Sequence, residues 1–81
     1  MEAIAVLRGA AAICADVGDA AGAAHAECML LWTHHYVGDC GAADAHGLAA
    51  LHWLEQCPVP MLQTMTYIGL SLGHAFVFVE P

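Results

Sequence analysis

The sequence predicts a mainly α-helical protein, a small three- to four-helix bundle forming one domain over residues 1–81. Three observations carry that expectation. Alanine, the strongest helix former, dominates the first half of the chain. Bulky apolar residues recur at helical spacing, and clusters of Gly, Asp and Pro interrupt the runs where helices would end.

Residues 2–15 favour a first helix, with Ile4, Val6, Leu7 and Ile13 supplying bulk on more than one face. Asp16-Val-Gly-Asp19 is the break, with Gly18 suited to close one helix and Asp19 to cap the next. Residues 20–37 make the second helix, small in its first half and bulky in its second. Ala21, Ala24, Cys28, Leu31 and His35 follow one stripe, and Met29, Trp32 and Tyr36 a neighbouring one. Gly38-Asp-Cys-Gly41 stops it. A third helix is expected from about Ala42 to Gln56, capped by Asp39 or Asp44 and ended by Cys57-Pro-Val-Pro60.

Two readings compete for the last segment. Pro60 suits the first position of a fourth helix running to about Gly73, followed by a short extended tail. Alternatively, AFVFVE is a β pattern of aromatic and β-branched residues, which would give a short C-terminal β-strand or hairpin within residues 64–80.

A chain of 81 residues buries only about 60% of the surface that its unfolded form exposes. Yet 60% of its residues are hydrophobic and only 11% are charged. That excess calls for a neighbouring molecule to cover part of it. The expected partner is a protein, either another chain or the same chain in a homodimer or higher oligomer.

Eight acids face one arginine, Arg8, and no lysine, for a formal charge of −7. Binding to nucleic acid displaces counterions from phosphates with cationic groups, which this chain lacks. Anionic membrane surfaces are disfavoured for the same reason. Residues 59–79 are long enough to span a bilayer, but Gln63, Thr64, Thr66, Ser71 and His74 dilute them and no basic residue flanks them. The N-terminus lacks the basic region of an export signal. A cytoplasmic protein with reduced thiols at Cys14, Cys28, Cys40 and Cys57 is the expectation.

The stretch HHYVGDCGAADAH, residues 34–46, concentrates three histidines, a cysteine and two aspartates. Helix-end electrostatics alone explains histidines closing one helix and aspartates opening the next. A metal reading would join Cys28, His35, Cys40 and His46 at the helix–loop–helix corner, with zinc first and copper second. No CxxC or HxxxH spacing supports it. Cys40 beside a histidine lacks any nucleophile motif, and the glycines form no phosphate-binding loop, so catalysis is not expected.

Large aromatic residues are the candidate interface anchors: Trp32, Tyr36, Trp53, Phe76 and Phe78. The function expected from these features is a small acidic helical interaction module. It would be a self-associating adaptor, regulator or inhibitor of a larger macromolecule, with no cofactor. A small zinc- or copper-binding protein is the alternative.

Overall fold

The computed structural model describes the backbone of residues 2–79 and the side chains of residues 2–72. Four helices follow one another: α1 (Glu2–Asp16), α2 (Ala20–Tyr36), α3 (Cys40–Gln56) and α4 (Pro60–Val79). The protein is a small helical bundle.

The first two corners are copies of one another, each built from Val-Gly-Asp. Gly18 and Gly38 take positive φ, 76° and 85°, a region open to glycine without penalty. The Asp19 N–H donates to the Cys14 carbonyl at 2.8 Å, and the Gly18 N–H to that of Ala15 at 3.2 Å. At the second corner the Asp39 N–H donates to His34 at 2.9 Å, and the Gly38 N–H to His35 at 3.1 Å. This paired closure satisfies carbonyls that the helix end would leave bare. Each aspartate then caps the next helix, Asp19 accepting from the Gly22 N–H at 2.9 Å and Asp39 from the Ala42 N–H at 3.1 Å. Asp39, not Asp44, is therefore the cap, and α3 starts at Cys40, two residues ahead of expectation.

The C-terminal strand or hairpin expected within residues 64–80 does not form over 64–79, and residue 80 lies outside the described residues. Residues 60–79 are one helix, which also replaces the expected stop near Gly73. A helix satisfies its own backbone hydrogen bonds, whereas an isolated strand needs a partner edge. Among the described residues there is no strand to supply one.

Helix α2 is the hub. A Cβ on Gly22 would fall 2.9 Å from Sγ of Cys14, so α1 lies close along that flank. Glu27 and His34 meet His46 of α3. Leu31 fills the space beside Gly69 of α4, and the His35 ring nitrogen Nε2 bonds the Gly69 carbonyl at 2.7 Å. At 3.6 residues per turn these contacts put α1 and α4 on opposite flanks of α2, with α3 behind. The molecule is accordingly thin, 43 × 28 × 15 Å.

The core lies among α2, α3 and α4, where Ala24, Cys28, Ala50, Leu54 and Leu62 pack together with Trp32, Trp53 and Met65 at its edge. Small residues let the backbones approach. A Cβ on Gly47 would sit 2.6 Å from Leu70, and one on Gly69 would sit 2.6 Å from Leu31. Among the described residues, helix α1 touches α2 alone, and it buries none of its residues fully.

Candidate interaction face

Among the described residues, one arc of α2 is covered by no other helix. It carries His25, Met29, Trp32 and Tyr36, spaced four, three and four residues apart along one stripe. His25 and Met29 are exposed, Tyr36 is 88% exposed, and Trp32 is half-buried against the core. A groove of about 200 Å³ runs beside the stripe, where Leu7 and Ala10 of α1 face Gly22, His25, Ala26 and Met29.

The same face continues onto both neighbouring helices. On α1, Val6 and Ile13 are each 65% exposed, with Val17 beyond them at the corner. On α4, Met61, Ile68 and Leu72 are exposed along the flank that adjoins α2. Among the described side chains, the large exposed apolar residues other than Val37, Leu48 and Tyr67 therefore share one side of the molecule. The accessible surface, 4922 Å², is close to the ~4,700 Å² that scaling gives for a folded monomer of this mass. The excess of apolar residues thus appears in what the surface is made of, not in how much of it there is.

The α2 stripe and α4 carry no formal charge, whereas on α1 the exposed Glu2 lies one turn before Val6. Glu27 turns back to α3, where Oε2 accepts from Nδ1 of His46 at 2.8 Å. Asp19 and Asp39 are occupied at helix starts, and Asp44 and Glu55 belong to α3. Arg8 lies on the opposite flank of α1 from the groove, near enough to His34 to disfavour its protonation.

Behind α2 sits a second feature that sequence reasoning did not isolate. His34 is 5% exposed, and its ring stacks on that of His46 with centroids 5.1 Å apart and planes inclined by 11°. Neither ring nitrogen of His34 has a hydrogen-bond partner. Burial holds the His34 imidazole below its ordinary value, helped by His46 and Arg8 and partly offset by Asp39. Helix-end electrostatics had accounted for this histidine as a cation at the end of α2. Its environment favours the neutral ring instead.

The other candidates are dispersed. Cys28 is fully buried in the core, Cys40 opens α3 half-buried, His35 is engaged with Gly69 and His46 with Glu27. No group of three or more His, Cys, Asp or Glu among the described residues is arranged to hold a metal ion. All four thiols are unpaired. Of the aromatic residues, Tyr36 and Trp32 lie on the uncovered stripe and Trp53 packs at the core edge. The side chains of Phe76 and Phe78 lie outside the described residues. No described helix is long and apolar enough to cross a membrane.

Comparison with protein families, with curated proteins and with solved structures finds no match to this chain.

Proposed function

We propose that the chain is a small acidic protein-interaction module, acting as an adaptor, regulator or inhibitor through apolar helix-face contacts. The observation that carries the reading is the apolar face on which Val6, Met29, Tyr36, Met61 and Ile68 are exposed together. Contiguous apolar surface of this kind marks binding sites on small soluble proteins. Aromatic residues such as Tyr36 are favoured anchors because they bring large area at low entropic cost. The role needs no catalytic group and no cofactor. We place it in the cytoplasm, a reducing setting that the four unpaired thiols fit.

The test is whether the folded protein uses the face. At neutral pH it should either associate in light scattering or bind the apolar dye anilinonaphthalene sulfonate. The combined change Met29→Glu and Ile68→Glu should abolish that behaviour while helical circular dichroism persists. A folded monomer that does neither overturns the reading.

A further inference from the structure

Resting on that interaction reading, we infer that the occupant of the uncovered face is a second copy of this chain, with α2 packing antiparallel on α2 about a two-fold axis.

The stripe is its own complement. In a two-fold contact, residue i meets residue j of the second copy while j meets i. An axis midway between Leu30 and Leu31 pairs His25 with Tyr36 of the second copy and Met29 with Trp32 of the second copy, all four positions being used. Both pairings are chemically sound. Imidazole and phenol exchange a hydrogen bond, and thioether sulfur packs favourably on an indole. The spacing of four, three and four residues is also that of a seam between two helices.

Area and charge agree with that occupant. Three helices abreast, α1, α2 and α4, give a face about 25 Å long and about 28 Å wide, on the order of 700 Å² in outline. A standard stable interface buries about 800 Å² on each partner. Each copy carries a formal charge of −7, so two copies repel at long range unless they meet on a side without acids. The α2 stripe and α4 make such a side. A basic partner would need acids along the α2 stripe to recognise it, and the stripe has none.

The experiment is sedimentation equilibrium of the full chain from about 10 μM to 1 mM, in low salt and in ~0.5 M NaCl, where screening is nearly complete. Wild type should reach twice the 8.5 kDa chain mass, with association tightened by salt. Met29→Glu should weaken the dimer at least tenfold. Tyr36→Ala, at a side chain too exposed to matter for folding, should weaken it as well. Leu48→Glu, on α3, should leave it intact. A benzophenone side chain placed at position 36 should cross-link near residue 25 of the second copy.

A wild-type monomer at 1 mM that still binds the apolar dye overturns the second copy and leaves the interaction reading standing. A monomer that binds no dye removes both. A monomer that cosediments with phosphatidylcholine vesicles gives the face to lipid. A dimer dispersed by Leu48→Glu but indifferent to Met29→Glu puts the contact on α3. Either result overturns the inference.

Discussion

His34 stacks on His46 with ring centroids 5.1 Å apart, and of the two rings only that of His46 is hydrogen-bonded to a carboxylate, Glu27.

For His34 the folded value lies below the ordinary 6.5, with burial the main cause. As pH falls the unfolded chain takes up this proton first, so protonation favours unfolding. The stability that goes with the neutral ring is complete above about pH 6.5 and declines as pH falls from 6.5 toward the folded value. Urea unfolding at pH 7.5 and at pH 5 should show the loss. His34→Gln, which does not titrate, should reduce the difference between the two conditions; an undiminished difference would assign it to other groups.

The Glu27 contact should be measurable by itself. Glu27→Ala leaves Nδ1 of His46 without its acceptor at a site where both side chains are mostly buried. A cost of about 1–3 kcal/mol in denaturant unfolding at neutral pH is expected. A change below ~0.5 kcal/mol would mean that water replaces the carboxylate without loss.

Gly69 and Leu31 form a tight helix crossing. Gly69→Ala should gain up to ~1 kcal/mol of helix propensity yet lose about 1–3 kcal/mol by overpacking, for a net destabilisation. Its Cβ would lie 2.6 and 2.9 Å from Leu31 side-chain carbons. Leu31→Ala alone should cost about 2–5 kcal/mol, and combining the two should cost less than their sum, because the smaller side chain makes room. Strict additivity in a double-mutant cycle would refute the steric account.

The second corner offers a local test. Asp39→Ala removes the bond to the Ala42 N–H and should cost about 0.5–2 kcal/mol. Gly38→Ala forces a side chain into φ near 85° and should cost about 1–2 kcal/mol. Thermal unfolding of both variants checks the pair, and Asp19→Ala should behave like Asp39→Ala.

Much of the architecture was legible because its signals are local. Gly18 with Asp19, Gly38 with Asp39, and Pro60 mark helix ends through backbone conformation and short-range bonds, which depend little on the rest of the fold. The last segment misled because β-branched and aromatic side chains report on strand propensity while saying nothing of whether an edge exists to pair with. Position 34 was misread for a related reason. A histidine in the last turn of a helix looks solvated until α3 is laid over it, and that placement depends on contacts such as Glu27 with His46, nineteen residues apart. The uncovered stripe was half legible. Met29, Trp32 and Tyr36 share a helical spacing, but which arc of α2 stays open is decided by where α1 and α4 settle.

The repeated Val-Gly-Asp corner also bears on how quickly the chain assembles. Each helix reverses onto its sequence neighbour through bonds spanning only a few residues, and among the described residues α2 with α4 is the one helix pair in contact that skips an element. Little loop-closure entropy must be met before contacts begin to form, which is the regime of microsecond-to-millisecond folders. Refolding after a rapid jump out of denaturant should finish within milliseconds, before slower events such as the meeting of two chains begin.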